Sequence, residues 1–358
     1  MEIFRVLVIN PGSTSTKIAV YDNEKSIFLK NIKHPAHELE PFKTIADQYE
    51  FRKEVILNEL INADIDIERI DGVMARGGLV KPISSGVYEV NEALKRDLRI
   101  GILGQHASNL GGLIADDIAK SLPHARAFIA DPVVVDELEE VARITGCPSM
   151  PRRSIFHALN QKAVGRLFAR TRGFVYEELN LIVAHMGGGV SIGAHRQGKV
   201  IDVNNAIDGY GPFSPERAGT LPSGALVDAC FSGKYTYDEM KKIVTGNGGL
   251  VAHLGTNQAY EVEKRVKAGD EHAKLILSAM CYQIAKTIGG CAAVLKGKVN
   301  GIILTGGIAH DNFVINYIKE MVDFIAPVAV YPGEDEMTAL MQNGLMVLRN
   351  QVECKVYA

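Results

Sequence analysis

Three short loops rich in Gly, Ser and Thr carry the strongest chemical signal in this 358-residue sequence. They are NPGSTST (10–16), HMGGGVS (185–191) and LTGGIAH (304–310), and each follows an apolar run that predicts a β-strand. Glycines let backbone N–H groups approach phosphate oxygens, and hydroxyls add further donors. One such loop could be an ordinary turn, but three at strand ends indicate phosphate binding. None has the P-loop spacing GxxxxGK[ST] or the GxGxxG register, so the familiar nucleotide-binding motifs are excluded.

Charged residues near predicted strand ends form a second group. Arg76 ends the run GVMARGG, where its planar guanidinium could bind a carboxylate or phosphate, or form a structural ion pair. Asp131 ends AFIADP and could hold Mg²⁺ or cap a turn. His157 and His185 could each stabilise a transferred phosphoryl group or serve as structural histidines. The acidic run 334–336 precedes the last predicted helix, where carboxylates also favour the helix dipole.

The elements that must position these residues follow a pattern that occurs twice. FRVLVIN, TKIAVYD and SIFLKNI open the chain as strand, loop, strand, turn and strand. NLIVAHM, VSIGAHR and KVIDVNN repeat that order from residue 180. The repeat predicts a duplicated α/β domain with a cleft between the copies. We place the N-terminal domain at 1–150, joined by the C-terminal helix 336–358, and the C-terminal domain at 151–335.

Further strands and helices are predicted between these units. Strands are expected in GVMARGG, AFIADP and VNGIILTGG. Helices are expected at about 46–63, 105–121, 134–145, 224–231, 236–244, 269–297, from about 311, and at 337–350. The long segment 269–297 is apolar on most faces, which predicts a core helix with surface left over that could pair subunits.

Composition limits the class of protein. The chain is 47% hydrophobic and 23% charged, its net charge is −3, and no basic block occurs, so no nucleic-acid or membrane partner is expected. Its five cysteines are scattered and never in CxxC spacing, which is typical of free thiols in a reducing cytoplasm. We find no signal-peptide pattern and no apolar run long enough for a bilayer, and we expect a cytoplasmic protein. HExxH and GxSxG are absent, so hydrolase chemistry gains no support.

The motifs NPGSTSTK, RRSIFH, HMGGGVSIGAHRQGKVID and LTGGI resemble those of the acetate and butyrate kinase family. That family belongs to the superfamily of sugar kinases, actin and the heat-shock ATPases. The variants MARGG, GQHASNLGG, PERAGTLPSG and YPGEDEM are similar to the butyrate-kinase branch. The resemblance implies two ribonuclease H-like (actin-like ATPase) domains, each a mixed β-sheet flanked by helices, with the active site in the cleft between them.

The resemblance also implies site residues, position by position. Those implied for catalysis are Asn10, Arg76 and His157, with Arg217 as a possible addition. Those implied for ATP are Ser13, Ser15, Lys17, His185, Gly187, Gly188, Gly189, Gly306, Gly307 and Ile308. Those implied for Mg²⁺ are Asp131, Glu336 and Asn10. For the acid substrate the candidates are Arg76 and His106, and the apolar character of Phe156 and Phe213 suits a short aliphatic tail.

The sequence departs from the acetate-kinase pattern at the substrate residues. The family arginine falls three positions earlier, at Val73, so Arg76 is its candidate substitute. His106 lies about one place from the family histidine.

Two further departures concern the phosphate and adenine contacts. The arginine of the family's G-T-R-S-G motif is replaced within Gly-Thr-Leu-Pro-Ser-Gly (219–224), and Arg217 is the nearby candidate to replace it. The Asp and Arg expected after HLGTN are replaced in 258–260, which leaves the adenine contacts open.

The predicted reaction is reversible phosphoryl transfer from ATP to butyrate, or to a branched acid such as isobutyrate, with Mg²⁺ as cofactor. Direct in-line transfer would give the acyl phosphate and ADP. An acetate or propionate kinase of the same family, a sugar kinase, and a non-catalytic actin-like nucleotide-binding protein are the alternatives. A homodimer or higher homo-oligomer is expected.

Overall fold

The computed structural model describes residues 2–358, and these divide into two compact units. The first unit comprises the residues up to Val135 together with Asp335–Ala358, and the second unit comprises Asp136–Glu334. Residues 136–150, assigned to the first domain from sequence, thus lie in the second unit. They are held there by contacts such as the ion pair of Glu137 with Lys162, at 2.7 Å.

The first unit is built on a seven-stranded mixed sheet with the order β12-β5-β6-β4-β1-β2-β3. Its strands are β1 (Arg5–Pro11), β2 (Ser15–Asp22), β3 (Lys25–Lys33), β4 (Gly72–Arg76), β5 (Val87–Glu89), β6 (Arg126–Ala130) and β12 (Lys355–Val356). The central strands β1, β4 and β6 run parallel, whereas β2 is antiparallel to both β1 and β3.

Five helices belong to the first unit: α1 (Ala36–Leu39), α2 (Tyr49–Asn62), α3 (Glu92–Ile100), α4 (Asn109–Lys120) and α13 (Glu336–Leu348). Met74 of β4 lies against Gly344 of α13, whereas its neighbour Ala75 lies against Gly111 of α4. Because successive side chains of a strand point to opposite faces, α4 and α13 cover the two faces of this sheet. Both strand faces are therefore buried, as the continuous apolar runs of β1 and β4 predict.

The second unit contains a five-stranded sheet with the order β11-β10-β7-β8-β9. Its strands are β7 (Asn180–Met186), β8 (Val190–Arg196), β9 (Lys199–Val203), β10 (Gly301–Gly306) and β11 (Val328–Pro332). Its helices are α5 (Glu140–Arg143), α6 (Ala158–Thr171), α7 (Ser223–Phe231), α8 (Tyr237–Thr245), α9 (Gly249–Leu254), α10 (Ala259–Lys267), α11 (Glu271–Val294) and α12 (Asn312–Val322).

The two sheets share one topology, which confirms the predicted duplication. The segment β3-β2-β1-β4-β6 of the first sheet matches β9-β8-β7-β10-β11 of the second, with the same antiparallel and parallel pairings. The predicted helix at 134–145 is wrong, because only Glu140–Arg143 is helical. The elements that were not predicted are α1, α3, α6, α9, α10, β5, β11 and β12.

Contrary to the expectation from sequence, one helix in residues 2–358, α11, is long and apolar enough, by length and composition, to cross a membrane. Within it, 44% of the most apolar window is buried, and Leu277, Met280 and Ile284 lie in a hydrophobic core shared with β7, β8 and β10. Its outer side exposes Leu275 and Tyr282. Core helices of soluble proteins pass the same test of length and composition, so this is weak evidence for a membrane span.

Candidate active site

In the first unit, three predicted site residues lie at the same edge of the sheet. Asn10, Arg76 and Asp131 stand at the carboxyl ends of β1, β4 and β6, which are neighbouring parallel strands. This edge is where open α/β sheets place their ligands. Residues that are far apart in the sequence are thereby gathered at one end of one sheet.

Arg76 and Asn10 share the carboxylate of Glu336, the first residue of α13. Arg76 Nη1 is 3.1 Å from Glu336 Oε1 and donates to Oε2 at 3.2 Å. Asn10 Nδ2 donates to Glu336 Oε2 at 2.6 Å. The side chains of Arg76 and Glu336 are 27% and 18% exposed, so solvent still reaches this pair.

The acidic run 334–336 separates into three roles. Asp335 accepts a hydrogen bond from Thr338 N–H at 2.9 Å, and so caps α13. Glu334 lies in the second unit, with Oε2 3.6 Å from His185 Nε2. Of the three carboxylates, Glu336 is the one that contacts Asn10 and Arg76.

The loop NPGSTST is held from behind by Arg52, a residue that the sequence analysis missed. Arg52 lies on α2, is completely buried, and donates to the carbonyl oxygens of Gly12 at 2.8 Å and Ser13 at 3.1 Å. It also donates to Thr16 Oγ1 at 3.0 Å. Burial lowers the pKa of Arg52 to about 10. Arg52 therefore holds the loop in place by donating hydrogen bonds to its carbonyl groups.

The polar side chains of this loop remain accessible. Ser13 and Lys17 are exposed and Ser15 is half-buried. Lys17 is paired with Asn10 across the β1–β2 ladder. The hydroxyl and ammonium donors can therefore reach a ligand at this end of the first unit.

His106 is electrostatically coupled to Arg76. Its Nδ1 accepts a hydrogen bond from Ser108 N–H at 3.2 Å and lies 2.8 Å from Ser108 Oγ. Burial of the ring, together with the positive charge of Arg76, lowers the pKa of His106. The neutral ring accepts at Nδ1 and so carries its proton on Nε2, which makes His106 a hydrogen-bond donor near Arg76.

Asp131 is held in an unusual backbone conformation. Its φ is +39°, a region that few residues other than glycine adopt. Its Oδ1 accepts hydrogen bonds from Ser85 Oγ at 2.6 Å and Gly86 N–H at 2.9 Å. These two donors orient the carboxylate after β6.

The donor set at this edge fits Mg²⁺. Asp131, Glu336 and Asn10 offer hard oxygen ligands. The carboxylate of Glu336 accepts N–H donors from Asn10 and Arg76 and still has lone pairs for a cation. Within residues 2–358 no group of three or more His, Cys, Asp or Glu side chains is arranged to hold a metal. Mg²⁺ usually binds through one or two carboxylates plus substrate phosphates and water, so this donor set suits an ion that is shared with a nucleotide.

In the second unit, the two predicted histidines stack on each other. The rings of His157 and His185 are 3.8 Å apart and inclined by 11°. His157 is at the start of α6 with Nδ1 2.9 Å from Ser191 Oγ, and His185 is on β7 with Nδ1 2.9 Å from Asn160 Oδ1. Sequence reasoning missed both partners. Asn160 shares a helix face with His157 at i,i+3, which was the available signal.

The glycine loop 187–189 is in contact with Arg217. A Cβ on Gly189 would lie 1.9 Å from Arg217 Nη1, so a larger residue here would displace the end of the Arg217 side chain. Arg217 also donates to the carbonyl of Ala206, and burial lowers the pKa of its guanidinium. Ser214 Oγ donates to the carbonyl of Gly188 at 2.7 Å. The structure thus brings the sequence candidate Arg217 to the loop 187–189, which was predicted to bind phosphate.

The third loop, after β10, has one tightly packed and one open glycine. Gly306 has φ +92°, and a Cβ there would lie 2.3 Å from the carbonyl oxygen of Met186. Gly307 has no atom within 4 Å of such a Cβ. Ile308 is 5% exposed and belongs to the core. Gly307 is therefore the accessible member of this predicted adenosine contact.

The two aromatic residues predicted to hold the substrate tail are buried. Phe156 is 2% and Phe213 is 8% exposed, and Phe213 belongs to the same core as Leu250. Their contact with a substrate stays a prediction. Tyr260, in the segment that replaces the expected adenine contacts, is 63% exposed.

The chain is similar to known proteins in both sequence and fold. The sequence profile of the acetokinase family matches residues 149–329. Butyrate kinase 2 of Clostridium acetobutylicum is 57% identical over 99% of both chains, and butyrate kinase 1 of that organism is 55% identical over 99% of this chain and all of the relative. Among solved structures, Porphyromonas gingivalis acetate kinase matches with a TM-score of 0.78 at 20% identity, covering 96% of this chain and all of that one. A propionate kinase from Francisella tularensis matches with a TM-score of 0.73 at 18% identity, covering 96% and 99% of the two chains. These structures share the fold, and the identity to the butyrate kinases extends over the whole length. The chain therefore belongs to the acetokinase family.

Proposed function

We propose that this protein is an ATP-dependent butyrate kinase, which converts butyrate and ATP to butyryl phosphate and ADP. The observation that carries the proposal is the cluster of Asn10, Arg76 and Glu336 at one sheet edge. It places a guanidinium fork, an amide and a carboxylate together in a chain that is 57% identical to a protein named butyrate kinase.

The reaction needs no protein nucleophile. The substrate carboxylate is already ionised, and one of its oxygens attacks the γ-phosphorus as the bond to the ADP oxygen breaks. The protein must hold the two reactants in line and compensate the charge on the equatorial phosphoryl oxygens. No proton has to be removed from the acid, so no general base is required.

Arg76 is the proposed contact for the acid carboxylate. Its guanidinium already faces one carboxylate, that of Glu336, and a planar fork suits a second one. The Nε2–H of His106 offers an additional donor to the same group. We propose that Phe156 and Phe213 make the apolar contacts to the alkyl chain of the acid.

We propose that phosphate groups bind at a glycine- and hydroxyl-rich loop in each unit. Ser13, Ser15 and Lys17 offer accessible donors in the first unit, and the loop 187–189 with Arg217 offers them in the second. His157 is the proposed donor to the phosphoryl group during transfer. His185 stacks on His157 and is proposed to contact the ATP phosphates.

Mg²⁺ is proposed to be held by Asp131 and Glu336, with Asn10 as a further oxygen ligand. When bound, the ion would neutralise charge on the phosphates. The chain's own part is to orient the two carboxylates, which Ser85, Gly86 and Asn10 do by donating hydrogen bonds to them.

Trapping of the acyl phosphate as a hydroxamate tests the function. Acetate, propionate, butyrate, isobutyrate and valerate should each be assayed with ATP and Mg²⁺. We expect the highest kcat/KM for butyrate or isobutyrate, with the neighbouring acids lower by about 10- to 200-fold for each mismatched methylene. Acetate as the best substrate would make the protein an acetate kinase, and no hydroxamate with any acid would leave a sugar kinase or a non-catalytic nucleotide-binding protein.

Self-association is proposed on the apolar surface of the second unit. Helix α7 has no buried residue although its sequence, SGALVDACF, is mostly apolar. Phe231 is 87% exposed and Val227 is 54% exposed. A second copy of the chain is the proposed occupant of this face, because exposed apolar helices of this kind commonly mark subunit contacts.

A further inference from the structure

Within the second unit, a continuous series of hydrogen-bonded, buried polar side chains begins at His157. It comprises Ser191 on β8, Gln161 on α6, His195 on β8 and Tyr176, and of these four none is more than 4% exposed. Each member is hydrogen-bonded to the next. Buried polar groups of this kind must satisfy their donors and acceptors, so the position of each proton can be derived.

The direction of the hydrogen bonds is set by Gln161. Its Nε2 must be the amide nitrogen, because it lies 3.0 Å from the backbone carbonyl of Ser191, which can only accept. Gln161 Oε1 is therefore an acceptor, and His195 Nε2, at 2.9 Å, must donate to it. Burial lowers the pKa of His195 well below its usual value, so its ring is neutral and its Nδ1 accepts from Tyr176 OH at 2.7 Å.

The same reasoning reaches His157 through Ser191. Ser191 Oγ accepts from Gln161 Nε2 at 2.9 Å and from the backbone N–H of His157 at 3.4 Å. Its own hydroxyl proton has His157 Nδ1, at 2.9 Å, as the acceptor. His157 Nδ1 thus accepts this hydrogen bond and is unprotonated, and the neutral ring carries its proton on Nε2.

Two glycines make room for this chain. A Cβ on Gly193, which lies between Ser191 and His195 on one face of β8, would be 2.5 Å from Gln161 Oε1 and 3.2 Å from His195 Nε2. A Cβ on Gly165 would be 2.7 Å from the ring of Tyr176. Local packing thus leaves the space that the chain of hydrogen bonds needs.

We propose that Ser191, Gln161 and His195 are positioning residues that hold His157 as the tautomer protonated on Nε2, with Nε2–H as its donor to the transferred phosphoryl group. This proposal rests on the proposed kinase function for the identity of the group that receives the hydrogen bond. His157 touches the reacting group, and the other three act only through it.

Nitrogen-15 NMR of the histidine rings tests the tautomer directly. The full-length protein labelled at the ring nitrogens would be studied near neutral pH, with His157 assigned from the His157→Gln variant. We expect the wild-type ring to show an unprotonated Nδ1 and a protonated Nε2. A proton on Nδ1, or an imidazolium, would overturn the proposal.

Substitutions of Ser191 and Gln161 test the direction of these hydrogen bonds. Ser191→Ala removes the donor to Nδ1, and we expect His157 to become a mixture of tautomers. In Gln161→Glu the carboxylate can only accept, so it takes the Ser191 proton, and His157 must then donate from Nδ1. An unchanged His157 spectrum in both variants would contradict the proposal.

Kinetics separate positioning from folding. Ser191→Ala and Gly193→Ala should lower kcat by about 10- to 100-fold, with the KM values for ATP and butyrate within about threefold of wild type. Ile192→Val is the matched control, because Ile192 is completely buried next to Ser191 but points to the opposite face of β8, into the hydrophobic core that contains Leu277 and Met280. This variant should leave kcat and the NMR spectrum of His157 unchanged. Normal kcat in both Ser191→Ala and Gly193→Ala would overturn the proposal. If the wild type forms no acyl phosphate, the kinase function fails, while the NMR result still decides the tautomer.

Discussion

At the scale of single residues, Arg76 is the side chain on which we propose that substrate binding depends most. Its guanidinium is the one cation in contact with Glu336 within the described chain, and it is proposed to bind the substrate carboxylate. Arg76→Ala should lower kcat/KM by about 10²- to 10³-fold, about 3–4 kcal/mol, because a preorganised donor is lost. Arg76→Lys should recover only part of this, since an ammonium lacks the planar fork. The hydroxamate assay with butyrate measures both.

Arg126→Ala is the matched control for this prediction. Arg126 is also a strand arginine of the first sheet in an ion pair, with Glu89 at 2.8 Å, but both side chains are nearly half exposed. We expect its removal to leave turnover near normal, because exposed pairs contribute little. Near-normal turnover in Arg76→Ala would show that the substrate assignment is wrong.

Site residues at the ends of apolar runs could be predicted from sequence, whereas the residues that hold them in place by hydrogen bonds could not. Arg76 and Asp131 follow buried strands, and the topology of parallel strands then gathers them. Arg52 acts on backbone carbonyls some 40 residues away, and Ser191 acts on a histidine 34 residues away. Such partners depend on tertiary packing, and no local pattern marks them.

At the scale of elements, the loop after β10 offers a test with its own control. Gly306→Ala should destabilise the second unit, because the residue has φ +92° and its Cβ would meet the Met186 carbonyl at 2.3 Å. Gly307→Ala, one residue later, meets no atom within 4 Å and should fold normally. We expect urea unfolding to show a loss of several kcal/mol for the first variant and less than about 1 kcal/mol for the second.

The second variant of this pair also reports on the nucleotide. Because Gly307 is the accessible residue of the proposed adenosine contact, Gly307→Ala should raise KM for ATP while KM for butyrate stays constant. Equal stability of the two variants would contradict the close packing of Gly306. An unchanged KM for ATP in Gly307→Ala would place the adenosine elsewhere.

Elements with a regular apolar pattern were predicted, and those with buried polar residues were missed. The strands β1 to β3 and β7 to β9 alternate or run apolar as expected. Helix α6 was missed because its buried face contains Asn160, Gln161 and Lys162, which hide the apolar stripe. Each of these polar residues has a buried partner: Asn160 is hydrogen-bonded to His185, Gln161 to Ser191, and Lys162 is paired with Glu137.

At the scale of the whole molecule, the duplication was visible because each copy repeats the same order of strands. The division between the units was harder to locate, since residues 136–150 form one short helix and irregular segments with little pattern. Helix α13 packs on the first sheet, where Gly344 lies against Met74, but it ends at Leu348 and does not extend to residue 358 as predicted.

Subunit association should depend on helix α7. Phe231→Glu would place a charge on a face that we propose is covered by a second copy, and it should shift the protein toward the monomer in size-exclusion chromatography with light scattering. Phe324→Glu is the control, because Phe324 is 82% exposed but lies after α12, away from that helix in sequence. A monomeric wild type, or equal masses for wild type and Phe231→Glu, would contradict the proposal.

Stability in acid should depend on His34, which lies behind the NPGSTST loop. His34 is 3% exposed, its Nε2 is 2.9 Å from Thr16 Oγ1, and its backbone N–H donates to the carbonyl of Thr14 at 2.8 Å. Burial and the nearby charge of Arg52 lower the pKa of His34 to about 4. Since Arg52 also donates to Thr16 Oγ1, a protonated His34 would set a second cation at this buried position.

The sign of the effect follows from proton uptake. The unfolded state, with a histidine pKa near 6.5, binds the proton before the folded state does, so stability is present in full above pH 6.5 and falls as the pH drops toward 4. We expect a loss of about 1–3 kcal/mol from this residue over that range. In His34→Gln the free energy of unfolding should be lower at pH 7 but should change less between pH 7 and pH 4. His124→Gln, at an exposed position, should keep the wild-type slope. Urea titrations followed by far-ultraviolet circular dichroism suit a chain without tryptophan. Parallel pH curves for His34→Gln and wild type would show that the buried imidazole does not control the loop in acid.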